Sequence, residues 1–459
     1  MGLNRPPSTV GAARSDDPYL PAHGNGGYRV EHYQLEIDYK VAANRLTGRA
    51  VLTGVADAPL SRFSLDLSAF RVPRVLVDGR PARFAQSRST RSGGKLHVTP
   101  ARPVAGRFTV EVRYVGSPAP VRSRWGDVGW DELTDGALVA SQPVGAPSWF
   151  PCNDHPSDKA SYRISVTTAA SYAVAATGVR TARRRSAGTR TWVFERPEPT
   201  ASYLVSVQIG RYDEMVLATG PVPQVALLPA RLRRDAAHDL GRHPAIMTTL
   251  EDFFGPYPFA DYQLVVTDDE LEDPIEAQGM SIFGANHLDG RRTHERLVVH
   301  ELAHQWFGNS LTIADWRHIW LNEGFATYAE WLWSEVSGGR TAAAHAREWH
   351  ARVAAAPADL VLADPGPARM FDERVYKRGA LVLHALRGRI GDERFFALLR
   401  DWTAQHRHAT VTTAQFVELA GRHATTDLST FFAAWLHRPA LPEIGGEGRG
   451  SSSGWTGRR

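Results

Sequence analysis

The stretch Leu297-Val-Val-His-Glu-Leu-Ala-His-Gln-Trp sets His300 and His304 four residues apart, with Glu301 directly after the first. On a helix, residues i and i+4 project from one face, so the two imidazoles can share a single ion. Neutral imidazole suits Zn2+, which binds nitrogen at about 2.0–2.1 Å. Glu301 points to the side where a bound water would stand and is placed to take its proton. Catalytic zinc needs a third protein ligand and an open fourth position. Glu323 is the candidate, after a gap of eighteen residues, in Trp-Leu-Asn-Glu-Gly-Phe-Ala. Its neighbours Ile319, Trp320, Leu321 and Phe325 predict burial, and a buried carboxylate without a counter-charge is costly. Glu330 falls two helical turns further on the same face, where it can accept a hydrogen bond from the free nitrogen of a ligating histidine. A solvated surface glutamate is the plainer alternative for that position.

In a chain with 18 histidines, a single His-Glu-x-x-His can also arise by chance, as two solvated residues on an amphipathic helix. Against that, Leu297, Val298, Val299, Leu302 and Ala303 make both faces of this helix apolar, which predicts buried histidines in need of partners. Gly308 is expected to close the helix.

The elements that must position these residues fall into two groups. Tyr33, Leu35, Ile37 and Tyr39 alternate with polar residues, as do Phe108, Val110, Val112 and Tyr114. Tyr162, Ile164 and Val166 do the same, then Tyr203, Val205, Val207 and Ile209. Period-two patterning between Gly, Pro and Asp clusters predicts an antiparallel β domain over residues 28–215. The period then becomes helical, from Leu232 to Phe254, stopping before Gly255, Pro256 and Pro258. Leu264–Val266 offers one more strand. From Leu297 onward helices dominate, with candidates at Ala342–Ala356, Lys377–Arg389, Glu393–Gln405, Ala414–His423 and Leu428–His437. The second domain is expected over 216–443. Residues 1–27, rich in Pro, Gly and Asp, suggest a flexible or loosely packed arm, and 444–459 a disordered tail.

Composition narrows the function classes. The chain has 459 residues, 43% of them hydrophobic, enough for two cores. Its 53 basic and 49 acidic residues leave a net charge of only +4, which argues against nucleic acid or an anionic membrane as partner. Arg183–Arg185 is the one short basic run and reads as a solvated turn. Cys152 is the single cysteine, so an internal disulfide and a thiolate metal site are both ruled out. With no apolar leader and no run approaching 18 apolar residues, membrane insertion is not expected and a cytoplasmic location is. Nothing here indicates an oligomeric state.

Taken together, His-Glu-x-x-His, the eighteen-residue gap and Asn-Glu-Gly-Phe resemble the gluzincin aminopeptidases related to aminopeptidase N and leukotriene A hydrolase. Phe150-Pro-Cys-Asn-Asp-His-Pro-Ser-Asp-Lys-Ala is similar to another segment of that family, as are Phe254-Gly-Pro-Tyr-Pro-Phe and Val375-Tyr-Lys-Arg-Gly-Ala-Leu-Val-Leu-His. The resemblance implies an α+β, two-domain fold: a saddle-like antiparallel β sandwich, then a thermolysin-like, mainly helical catalytic domain. It also implies one Zn2+ per chain on His300, His304 and Glu323, and peptide substrates with a free N-terminus. Tyr376 resembles the family's oxyanion-stabilising tyrosine, and Gln142 a glutamine that contacts the substrate amine. Where the family reads Gly-Ala-Met-Glu-Asn-x-Gly, this chain has Asp273-Pro-Ile-Glu-Ala-Gln-Gly. Glu276, the amine-binding position, and Gly279 match; their neighbours do not, which predicts an altered first pocket.

A further departure is that the chain ends near Trp435-Leu-His-Arg-Pro-Ala-Leu-Pro, where larger relatives continue into a helical capping domain. The implied mechanism is peptide hydrolysis with Glu301 as base and Tyr376 on the oxyanion. Two alternatives are an epoxide hydrolase on the same site and a catalytically silent scaffold. The scaffold should have lost one of Glu301, Tyr376 or the three ligands, and all five are present.

Overall fold

The computed structural model describes residues 9–68, 70–89 and 93–444. The alternating strands close one core. Tyr33, Leu35, Ile37 and Tyr39 all face inward on Tyr28–Lys40, and Phe108, Val110, Val112 and Tyr114 do so on Val104–Gly116. These strands belong to an eleven-stranded sheet. Its central order is Thr189–Thr200, Ala160–Ala169, Tyr28–Lys40, Arg45–Asp66, Val104–Gly116. A five-stranded sheet packs against it, with Gly136–Ala140 and Val207–Gly210 among its strands, and the shared core includes Trp130, Trp149 and Phe150. The pattern read through Tyr203 and Val205 is a buried 3-10 turn at Ser202–Leu204; the strand begins only at Val207.

A third sheet runs Asp213–Ala218, Gln224–Leu228, Tyr262–Val266, Met280–Phe283, Ile275–Ala277. Its first strand starts before residue 216 and pairs with Gln224–Leu228. Helices follow in chain order: α1 (Arg233–Asp239), α2 (His243–Phe254), α3 (Glu295–Ala303), α4 (Trp320–Val336) and α5 (Ala342–Ala355). After them come α6 (Glu373–Ile390), α7 (Asp392–Gln405), α8 (Thr413–His423) and α9 (Ser429–His437). The single helix expected from Leu232 to Phe254 is two, broken where Leu240 and Gly241 end one and Pro244 opens the other. Among the described residues, no helix is long and apolar enough to cross a membrane.

α4 and α6 cross with their backbones in contact. A Cβ on Gly324 would lie 2.8 Å from the Gly379 Cα, so any larger residue forces the helices apart. Arg378 then anchors α6. Its buried guanidinium donates to the carbonyls of Leu360, Trp435, Arg438, Pro439 and Ala440.

Of the arm expected to be flexible, residues 9–27 are packed and 1–8 lie outside the described residues. Thr9–Val10 pairs with Arg45–Asp66, and Ser15, Asp17, His23 and Asn25 are buried. Its polar residues find partners in both domains, which the high Gly and Asp content concealed. Residues 445–459, most of the expected tail, lie outside the described residues.

Candidate active site

α3 presents His300 and Glu301, and His304 caps its C-terminal end. The helix stops at Ala303, earlier than Gly308, which stands in the loop that follows. α4 carries Glu323 and Glu330 on one face, buried between α3 and α6. The ligand atoms of His300, His304 and Glu323 all lie within 4.8 Å of one another. Each histidine Nε2 is 3.5 Å from Glu323 Oε2. Two donors about 2.0–2.1 Å from one ion at a tetrahedral angle stand about 3.4 Å apart, so this set fits zinc.

Both rings are oriented from behind. His300 Nδ1 lies 2.8 Å from Glu330 Oε1, and His304 Nδ1 lies 3.0 Å from the Phe307 carbonyl. These acceptors fix the tautomer with Nε2 free to ligate. Without an ion, burial disfavours charge on the imidazoles. Hydrogen bonds and charge from Glu323, helped at His300 by Glu330 and at His304 by Glu276, outweigh it and lift the histidines to about 9 and about 10.

Glu301 is 4% exposed, and its Oε2 has no hydrogen-bond partner. Burial pushes its carboxyl up to about 7, opposed by the two imidazoles. Tyr376 lies in the first turns of α6, its ring stacked 6.1 Å from His300. Burial, then the charges of Glu323, Glu276 and Glu301, hold its phenol well above the usual range and so protonated.

Glu276 comes from the strand Ile275–Ala277 at the edge of the third sheet. Ligand atoms of Glu276, Glu301 and His304 also lie within 4.8 Å of one another. Gln142, which follows the strand Gly136–Ala140 of the first domain, donates from Nε2 to Glu276 Oε1 at 2.6 Å. Gly279 occupies the tight turn after that strand at φ +76°, backed by Arg196, and its amide donates to Gln305 Oε1 at 2.8 Å. In this position it makes the turn that leads from the strand of Glu276 into Met280–Phe283.

Pattern reading missed Gln305 and Asn309. Gln305 follows His304 and is fully buried; its Nε2 donates to Ala277 O at 3.1 Å, and Asn309 Nδ2 donates to the same carbonyl at 3.0 Å. These two amides tie the strand of Glu276 to the loop after α3. The only signal in the sequence was their proximity to His304.

A concavity of about 770 Å3 lies elsewhere, on the outer face of the eleven-stranded sheet. Arg49, Arg113 and Arg163 in it are already paired with Glu36, Glu111 and Glu195, so it offers no chemistry.

Comparison with known proteins points the same way. Residues 240–435 match the Peptidase family M1 domain and residues 29–204 the Peptidase M1 N-terminal domain. The M1 zinc metallopeptidase of Deinococcus radiodurans aligns at a TM-score of 0.84 and 31% identity, over 93% of this chain and 98% of its own. A mutant of that enzyme has been solved with Tyr-Ser-Ala as substrate, with similar coverage at 30% identity and a TM-score of 0.84. Leucine aminopeptidase 2 of Eremothecium gossypii is 26% identical over 90% of this chain and 69% of its own. The leucyl aminopeptidase of Saccharolobus solfataricus is 22% identical over 91% of this chain but 54% of its own. The chain thus spans about half to two-thirds of the length of these curated relatives.

Proposed function

The chain belongs to the M1 family of zinc metallopeptidases, and from that premise we propose that it is an aminopeptidase releasing the first residue of peptides. His300, His304 and Glu323 would hold a zinc ion, which would supply Lewis acidity to the attacking water and to the scissile carbonyl. Glu301 takes a proton from the attacking water and returns it to the leaving amine. Tyr376 donates to the carbonyl oxygen as that oxygen becomes negative in the transition state. Glu276 receives the substrate's α-ammonium, with Gln142 fixing one of its carboxylate oxygens.

The observation that carries the exopeptidase reading is the closeness of Glu276 to Glu301, within 4.8 Å through their shared neighbour His304. An α-ammonium held at Glu276 keeps the first carbonyl beside the base. Each further residue moves the next carbonyl away by roughly 3.3–3.6 Å. Only the first peptide bond is then in reach. Peptide substrates find support in the Tyr-Ser-Ala complex of the Deinococcus mutant.

The test is fluorophore release from aminoacyl amides and from their N-acetylated counterparts. Free-amine substrates should be cut, a chelator should stop the cutting, and added zinc should restore it. Equal cleavage of the acetylated amides would remove the amine-anchor role, and chelator-resistant turnover would remove the metal.

A further inference from the structure

Resting on those roles for Glu323 and Tyr376, we infer that the N-terminal arm is a strap. Through Asp17 and Tyr19 it positions the two helices that present these residues.

The arm is built onto the first domain at its base. The Gly11 amide donates to the Arg62 carbonyl at 2.8 Å and the Gly26 amide to the Ala12 carbonyl at 3.0 Å, closing a loop at its neck. Behind the neck, buried Asp66 pairs with Lys95 at 2.6 Å and accepts from the Gly24 amide at 3.2 Å and from Asn25 Nδ2 at 2.8 Å. Lys95 also donates to the Gly24 carbonyl at 2.8 Å, and the Asn25 amide donates to Asn153 at 2.6 Å. This end of the loop is therefore fixed in the β domain.

The tip reaches the catalytic domain at two places. Asp17 is 2% exposed. One of its oxygens accepts from the Tyr19 and Leu20 amides at 2.8 and 2.9 Å, which shapes the tip. The other accepts from the Trp316 amide at 3.0 Å. Trp316 opens the short turn Trp316–His318 that runs directly into α4, the helix of Glu323 and Glu330. A charged acceptor on a buried amide makes a strong contact, and removing it leaves that amide unsatisfied.

Tyr19 makes the second contact. Its hydroxyl donates to the Asp364 carboxylate and accepts from the Gly366 amide at 2.8 Å. The segment from Asp364 leads through Phe371 to Asp372, whose side chain caps α6 by accepting from the Arg374 amide at 2.9 Å. Phe371 packs edge-on against Trp316 at 6.4 Å and against Trp125 of the first domain at 5.7 Å. Tyr376 follows within α6. Both strap contacts thus fall on the segments just ahead of the two helices, which meet at Gly324 and Gly379. Small displacements at such starts move catalytic groups, and a misplacement of about 1 Å can cost up to roughly 10²-fold in rate.

Mere docking of the arm would also explain these contacts, and a double-mutant cycle separates the two. Tyr19→Phe should lower kcat on an aminoacyl amide about tenfold at nearly constant KM with zinc still bound, because it acts through Tyr376. In the Tyr376→Phe background the same change should cost less than about twofold. An equal loss in both backgrounds, or no loss in either, overturns the assignment. Zinc transfer to a chelator gives a readout independent of turnover. Asp17→Ala should speed it severalfold, and Asp17→Asn should speed it less, because its single amide oxygen can serve only one of the two sets of amides. Unchanged transfer in Asp17→Ala overturns the α4 contact. If Asp17→Ala does not fold, the Tyr19 cycle decides alone. If Tyr376→Phe by itself costs nothing, the oxyanion role falls, and the zinc-transfer rates judge the strap.

Discussion

The half of the site proposed to bind the metal and the half proposed to bind the amine are built in opposite ways. His300 and His304 meet because one helical turn brings them together, and Glu323 and Glu330 meet them from one face of α4. Glu276 arrives from a different sheet. Gln142 of the β domain steadies it, and Gln305 and Asn309 hold its strand by the Ala277 carbonyl. The first half is written in local periodicity and the second in tertiary contacts. That explains how Asp273, Pro274, Ile275 and Ala277 can depart from the family's usual residues while Glu276 stays in place. The tethers grip backbone groups, which any side chain at Ala277 supplies.

The two halves predict different failures. Glu301→Gln should give the largest effect, a fall in kcat of roughly 10²–10⁴-fold, because an amide cannot accept the proton. Metal content should stay at one zinc per chain by elemental analysis. Full activity in a folded, zinc-loaded Glu301→Gln protein would show that another group is the base.

Glu276→Gln tests the other half. A charged hydrogen bond is worth about 1.5–3 kcal/mol, so kcat/KM on free-amine substrates should fall roughly 10- to 150-fold. N-acetylated amides, which have no charge to place there, should be cut no worse than by the wild type. A uniform loss on both substrate kinds would mean that Glu276 serves the metal half instead.

The same divide runs through what could be read from sequence. Helical spacing paired His300 with His304, because i,i+4 geometry needs no knowledge of the rest of the fold. Apolar flanks predicted the burial of both and of Glu323, while the burial of Glu330 was left open. The alternating strands were legible for the same reason. The arm was not: Asp17 and Asn25 look like loop polarity until Trp316 and Asp66 are seen beside them. Gln305 and Asn309 were equally opaque, since their partners lie about 30 residues away across a sheet edge. Gly324 and Gly379 had stood in the motifs without a reason, which the helix crossing provides.

Glu330→Gln is the finest test of the locally written half. The amide oxygen of the substituted side chain could still accept from His300 Nδ1, so the ring should keep its orientation and only the carboxylate's charge is lost. Without that charge His300 becomes a weaker donor to zinc, and loss of such a partner costs about 10–100-fold in metal affinity. At saturating zinc, kcat should change by less than about threefold, since neither Glu301 nor Tyr376 is touched. Arg296 is the control. It stands 3.6 Å from Glu330 but is mostly exposed, so Arg296→Ala should leave zinc affinity within about twofold of wild type. If Glu330→Gln bound zinc normally yet lost kcat, the charge of Glu330 would be acting on the reaction and not on the ligand. The metal half would then be coupled across the site as the amine half is.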